Sequence, residues 1–334
     1  MQFVGIDVSA KTLVVCLQPP TPKAAPQQLT FDNTREGHRK LGRRLTKSRR
    51  PTRVALEATG LYSLDIALAL AQQPGVEVMV VNPRSLRDFA RADLRRSKTD
   101  AVDAQVLLEY VQRMRFQPWQ PPSPESLELR AIGRRLADLT DLITQEKNRL
   151  HAAGFVASLA PAVIRDIQTH LQHLEAQLKA LEREACQLIR SHPHLREDFQ
   201  LLVSTPGIAT KSAIQLLGEL SVLPEDMGPR QWVAHAGIDP RSHDSGSSVH
   251  KPAQMSRCGN HHLRRFLFMP ALVAVCRDPN VKAFYDELLA RGKKPLQALV
   301  AVMRKLLHSL HGMLRHRSPF EGQKFRTLKT APAP

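Results

Sequence analysis

Residues 3–17, FVGIDVSAKTLVVCL, decide the reading of the fold. Two apolar, β-branched arms flank a polar turn, which is the pattern of a β-hairpin. An acid, Asp7, stands within the first arm among apolar neighbours. A carboxylate there is costly to bury unless it is paired or bound to a cation. Outward from this hairpin, Gln27–Phe31 supplies a third strand, and Asn33 can cap a helix over 34–45. RVALEA (53–58) reads as a strand and LYSLDIALALAQQ (61–73) as a helix stopped at Pro74-Gly75. VEVMVVNP (76–83) is a buried strand, and from Arg84 the spacing turns helical. The order β-β-β-α-β-α-β-α predicts a mixed α/β sheet flanked by helices.

FQPWQPPSPES (116–126), with four prolines, cannot continue a helix and marks a boundary. Two long helices follow. Leu129, Ile132, Leu136, Leu139, Ile143 and Leu150 keep a 3–4 spacing, with polar Glu146 at one expected position. Ile164, Ile167, Leu171, Leu174, Leu178, Leu181, Ala185 and Leu188 keep it unbroken. Such heptads predict a coiled-coil spacer used for self-association; the alternative is a hairpin that buries both seams on each other. The expected regions are a catalytic α/β domain over 1–118, the spacer over 125–195, a mainly α-helical domain over 198–325 and a flexible tail over 326–334.

A formal charge of +17 and a pI near 10.3 point to a polyanionic partner, since each neutralised phosphate releases a counterion. The excess concentrates late: residues 241–334 hold 17 Lys/Arg against 5 Asp/Glu. No apolar run reaches the roughly 18 residues of a membrane span, and MQFVGIDVS is no secretory leader, so the expected place is the cytosol, with no membrane partner. Cys16, Cys186, Cys258 and Cys276 form no CxxC pair and read as reduced thiols. The CGNHH stretch (258–262) lacks a second ligand pair, which argues against zinc.

Asp7 has company. Glu57 ends the strand VALE, where a parallel neighbour would bring it beside Asp7, and Asp100 and Asp103 share a helical face at i, i+3. Four carboxylates from two strands and a helix make a hard-oxygen site suited to Mg²⁺ or Mn²⁺. Each has an ordinary reading too: a turn residue, a helix cap, or acids of a first helical turn. The basic residues Arg84, Arg87, Arg91 and Arg95, with Lys98 beyond them, form a stripe that could hold nucleic acid. Leu201–Leu220 has the form of a helix-hairpin-helix, turning at Pro206-Gly207-Ile208 with Lys211 after it, a shape that grips phosphate without reading sequence. Beyond it runs a loop containing SGSS (245–248), with Arg241, Lys251, Arg257, Arg264 and Arg265 around it.

The β-β-β-α-β-α order, with Asp on the first strand, Glu on the fourth and Asp pairs on a later helix, resembles the RNase H/RuvC nuclease fold. GIDVSAKTL, EATGLY, VVNP and SKTDAVDA, followed by SGSSVHKPAQMSRCGNHHLRR, resemble the DEDD transposases of the bacterial insertion-sequence-110 family. The resemblance implies a transposase/recombinase of bacterial, nucleoid-associated location, acting on donor and target DNA. It makes Asp7, Glu57, Asp100 and Asp103 the catalytic metal ligands and Ser245 the nucleophile, with Ser247 and Ser248 touching phosphate or shaping the loop. It further implies a structured noncoding guide RNA and a homo-oligomer built as a dimer of dimers, whose tetrad and serine could come from different subunits. Two rivals remain: a RuvC-like junction resolvase that hydrolyses DNA with water, and a non-catalytic nucleic-acid-binding regulator.

Overall fold

The strand that carries Asp7, β1 (Gln2–Val8), is the centre of a five-stranded sheet. β2 (Thr12–Leu17) folds back antiparallel to it and β3 (Gln27–Asp32) antiparallel to β2. The chain then passes through α1 (Arg35–Thr46) to β4 (Thr52–Glu57), which lies parallel to β1 on its other side. α2 (Leu64–Ala71) leads to β5 (Val76–Val81), parallel to β4, giving the order β3-β2-β1-β4-β5. α3 (Pro83–Ala92) and α4 (Asp100–Arg113) complete a first unit that ends at Pro121. The computed structural model describes all residues except 20–23, 48, 59, 61, 94–98, 156–160, 246–248 and 326–334, with backbone alone at 242–245 and 249–253.

The sheet is covered on both faces. Val4, Ile6 and Val8 alternate onto one face, where Leu41 and Leu45 of α1 and Ile66 and Leu70 of α2 close a core. The opposite face carries Cys16, Ala55, Met79 and Val81 against Leu86 of α3 and Ala104, Leu107 and Leu108 of α4. Gly5 belongs to this second face. A Cβ built on it would lie 2.2 Å from the Ala104 carbonyl oxygen and 2.3 Å from the Leu108 nitrogen. Only glycine lets the α4 backbone lie this close on β1.

The cap of α1 sits one residue later than the sequence suggested. Thr34 accepts from the Gly37 N–H. Asn33 is occupied elsewhere: its amide donates to the Ser9 carbonyl at 2.8 Å and the Tyr62 carbonyl at 3.1 Å, while its oxygen meets His38 Nε2 at 2.7 Å. It thus ties the β1–β2 turn to the segment after β4. The proline-rich stretch is also partly structured, with Trp119 N–H bonded to the Val78 carbonyl at 2.7 Å.

The second unit, Pro122–Pro334, is mainly helical. α5 (Pro124–Ala153) and α6 (Pro161–Ser191) form an antiparallel hairpin in which Leu139, Ile143 and Leu174 are buried on one another. Over these residues the seams meet within one chain. Glu146 is buried at its heptad position, bonded to Arg149 at 2.7 Å and near His170 of α6 at 3.4 Å. A buried polar residue inside an apolar seam favours one register over its neighbours. At the far end Phe155 is 78% exposed.

The remaining elements are α7 (Pro193–Val203), α8 (Thr210–Leu220), α9 (Pro229–Ala236), β6 (Pro240–Ser245), β7 (Val249–Met255), α10 (His261–Arg277), α11 (Pro279–Ala290), α12 (Pro295–His316) and α13 (Gly322–Phe325). Leu136 of α5 and Ile189 of α6 share one core with Leu202, Leu216, Leu267 and Leu306, so the root of the long hairpin is built into the helical domain. On either side of residues 246–248, which lie outside the described residues, the chain forms a two-stranded antiparallel ribbon with an irregularity between Arg241 and His243. PRSHDS and VHKPAQM lack the apolar alternation that marks a half-buried strand, which is why sequence pattern missed it. The stretch after His316 is anchored as far as Phe325, which is 1% exposed and packs edge-on against Phe284.

Gly5→Ala is expected to lower stability by roughly 1–3 kcal/mol, the range for overpacking a core, measured by urea unfolding. A cost below about 0.5 kcal/mol, the scatter of neutral surface changes, would show that α4 can ride up without loss.

Candidate active site

Strand alternation places Asp7 on the same face as Gly5, two residues further along β1. Its neighbours confirm the face: Val14, opposite Asp7 on β2, packs in the layer under α4. β4 runs beside β1 with Gly5 against Ala55 and Ile6 against Leu56, so Glu57 follows on Ala55's face, next to Asp7. α4 lies over Gly5 at Ala104, which leaves its first turn, with Asp100 and Asp103, over the Asp7 end of the strand. Thr99 caps that turn by accepting from the Val102 N–H. One close contact therefore gathers all four acids.

Electrostatics reports the same gathering. Burial, then the charges of Asp100, Asp103 and Glu57, push the Asp7 carboxyl up from 3.8 to about 6, against a smaller opposing pull from the Val8 N–H. The other three carboxylates thus stand within Coulombic reach of Asp7. Among the described residues no group of three or more His, Cys, Asp or Glu side chains closes to metal-holding distance. The donor set itself, four hard oxygen ligands and no sulfur or imidazole, fits Mg²⁺ or Mn²⁺.

Of the basic stripe, Arg84, Arg87 and Arg91 lie exposed on α3, with Arg84 3.8 Å from Asp88. Arg95 and Lys98 lie outside the described residues.

In the second unit Ser245 is the last residue of β6, its backbone paired with Val249 of β7. Ser247 and Ser248 lie outside the described residues, and Lys251 is placed by its backbone, opposite His243. Arg241 is exposed at the base of the ribbon, opposite Gln254. Arg257 is exposed with φ 51°. Arg264 donates to the Ala236 carbonyl at 2.9 Å, and Arg265 chelates the Asp141 carboxylate, so these two cations already have structural work. Lys211 sits in the first turn of α8, whose N-cap Ala209 supplies no side-chain acceptor.

Sequence pattern missed the polar network at the root of the ribbon. Glu219, 1% exposed, takes both Arg134 donors at 2.6 and 3.0 Å and the Asn260 amide at 2.6 Å. Burial alone would raise its carboxyl; the bonds from Arg134 and Asn260 outweigh that and hold it below the usual range. Asn260 in turn caps α10 by accepting from the His262 and Leu263 N–H groups. Before it, Gly259 (φ 141°) runs so close to His235 that a Cβ would lie 2.2 Å from the His235 carbonyl oxygen. A carboxylate inside the apolar run AIQLLGEL was the available signal.

A model described as a transposase of the DEDD, IS110 type matches residues 4–153, and one described as the transposase IS116/IS110/IS902 family matches 199–286. The first covers the four acids and the second covers Ser245. The chain belongs to the IS110-family transposases. A pilin gene-inverting protein of Moraxella bovis is 29% identical over 325 residues, 96% of this chain and 97% of that protein. An uncharacterized 43.6 kDa protein of insertion element IS110 from Streptomyces coelicolor is 27% identical, over 58% of this chain and 46% of its own. The transposase for insertion sequence element IS1328 of Yersinia enterocolitica is 24% identical, over 61% and 66%. The transposase is thus an enzyme of the class that cuts and rejoins DNA. Among its described residues no helix is long and apolar enough to cross a membrane.

The raised Asp7 carboxyl fixes a sign. The folded state holds that proton more tightly than the unfolded chain, so stability falls as pH rises from about 4 through about 6. In the metal-free transposase, Asp7→Asn is expected to melt roughly 2–4 °C higher than wild type near pH 7.5, as about 1 kcal/mol would give after solvent screening. Near pH 4 the two should coincide. A variant that melts lower across the whole range would contradict the assigned repulsion.

Proposed function

We propose that this transposase moves DNA by a composite reaction in which the acid cluster of the first unit and Ser245 of the second act on one phosphodiester. The reading is carried by one observation: one family model spans the carboxylate-bearing unit and runs on through α5, and the other lies wholly within the second unit around the serine ribbon. Asp7, Glu57, Asp100 and Asp103 would hold Mg²⁺ or Mn²⁺, which when bound supplies charge stabilisation to the phosphodiester oxygens.

The Ser245 hydroxyl attacks phosphorus, and its Oγ–P bond forms as the bond from phosphorus to the departing DNA oxygen breaks. The serine proton ends on that oxygen as a sugar hydroxyl. The phosphodiester energy is kept in a phosphoseryl–DNA link, and a hydroxyl from another strand reverses the step to rejoin DNA. Ser247, Ser248, Lys251, Arg241 and Arg257 serve the phosphate side of this ribbon. Arg264 and Arg265 act more through position than through free charge, given their bonds to Ala236 and Asp141. The relative named for pilin gene inversion spans nearly its full length with this chain, which favours a reaction that rejoins strands over one that only cuts.

A structured noncoding RNA and both donor and target DNA are the proposed partners. The exposed arginines of α3, with Arg95 and Lys98 following in sequence, and the α7–α8 turn with Lys211 are the surfaces that would hold their backbones. The proposed assembly is a dimer of dimers. The exposed end of the α5–α6 hairpin is where such association can add to the seam already closed within the chain.

The test is a covalent trap. Transposase denatured during reaction with DNA carrying the element's ends should retain a DNA adduct that Ser245→Ala abolishes. Asp7→Ala should lower cleavage by roughly 10²-fold or more, the scale of removing one transition-state stabiliser. Mixing the two variants should restore part of the activity if serine and acids come from different subunits. Cleavage that persists in Ser245→Ala without any adduct would instead indicate hydrolysis by water.

A further inference from the structure

An open groove of about 660 Å³ lies between α8, α10 and α12, with Met255 of the serine ribbon's second strand on its wall. Its floor and lip are apolar. Phe268, Met269 and Leu296 line it and are 38%, 55% and 62% exposed, an unusual cost for three large apolar side chains at one place. Its rim carries Lys211, His261, Arg264 and Arg265, of which Arg265 is already paired with Asp141 and Arg264 also bonds the Ala236 carbonyl, and none of the lining residues is a carboxylate.

We propose that this groove receives one unpaired base of a DNA strand, stacked on Phe268 and covered by Met269 and Leu296, with the flanking phosphates against the basic rim. The proposal rests on the reading of the chain as a DNA recombinase. Three observations select this occupant. The volume, within the roughly 300–1,000 Å³ of sites for small ligands, has room for a base with its sugar and flanking phosphates but not for a duplex. A stacked duplex offers phosphates and base edges, whereas only an unstacked base offers an apolar face to bury the phenyl ring. A second copy of this chain would bring its own +17 charge against a basic rim, while a nucleic-acid strand is complementary to it. The position adds a use. A base held at the root of the ribbon would keep strands apart beside the proposed nucleophile, where pairing must change for strands to be exchanged.

The test uses the full chain and a short single-stranded DNA bearing one 2-aminopurine, with the same strand in a perfect duplex as control. Binding to the single strand should change the 2-aminopurine fluorescence. Phe268→Leu, which keeps an apolar side chain but removes the ring, should weaken single-strand binding roughly tenfold, within the range for one base–aromatic stack. Duplex affinity should stay within about twofold, and Phe268→Trp should restore single-strand binding. Equal losses on both substrates, no loss on either, or a loss seen only with RNA of the same sequence would overturn the proposal. So would a fall in sedimentation coefficient for Phe268→Leu at unchanged single-strand affinity, which would give the face to a second copy. The Ser245 adduct assay separates the two readings. Loss of the adduct with an intact 2-aminopurine response removes the recombinase chemistry and leaves the base site standing; the reverse result removes the base site alone.

Discussion

The first unit depends on a contact between two backbones. At Gly5 the sheet has no side chain, and α4 lies so close that its Ala104 carbonyl occupies the space a methyl group would need. Small neighbours, Cys16 and Ala55, flank this point across β2 and β4. Because strand side chains alternate and helical turns repeat, this fixes where everything nearby falls. The next residue on the same face of β1 is Asp7, the corresponding one on β4 is Glu57, and the turn of α4 that reaches them carries Asp100 and Asp103. Burial, with the charges of Asp100, Asp103 and Glu57 adding to it, holds the Asp7 carboxyl near 6. The start of α4 offsets part of the repulsion, since the positive end of the helix dipole favours negative charge. A divalent cation would reverse the sign of the balance.

The second unit solves its positioning problem with polar groups. Just beyond the serine ribbon in the chain, Asn260 is bonded with Glu219 and Arg134 in a largely buried cluster. Such a network adds little net stability compared with apolar packing, but losing one member leaves the others buried and unpaired, at about 3–5 kcal/mol. It therefore holds one arrangement against alternatives. Asn260 joins the network to the start of α10, so the helix bearing Arg264 and Arg265 and the strand ending at Met255 share one reference point.

Much of the first unit was legible in sequence because its signals are local. Alternation in FVGIDVS and KTLVVCL, the apolar strands before Pro74 and Pro83, and the i, i+3 acids each announce themselves within a few residues. The serine ribbon was not legible, because PRSHDS and VHKPAQM carry no apolar alternation to read. The anchoring of Phe320 and Phe325 was hidden for a related reason: two aromatics among polar residues become informative only when Phe284 is seen opposite them. The heptads of α5 and α6 were plain, yet periodicity states only that a seam must be buried. Whether Leu139 and Ile143 meet Leu174 of the same chain or of another depends on the loop, which has no period. Glu219 marks the same limit, since a single acid in an apolar helix signals a partner without naming Arg134.

The central claim is that the crossing of α4 at Gly5 makes four carboxylates share one field. The most direct measurement is the titration of the Asp7 carboxyl carbon by NMR, with and without Mg²⁺. A midpoint near 6 is expected in the metal-free protein, with a drop well below that when Mg²⁺ is added and a partial fall on replacing Asp100 and Asp103 with asparagine, burial and Glu57 keeping it above 3.8. A midpoint near 3.8 in the unaltered metal-free protein, insensitive to Mg²⁺ and to those replacements, would contradict it.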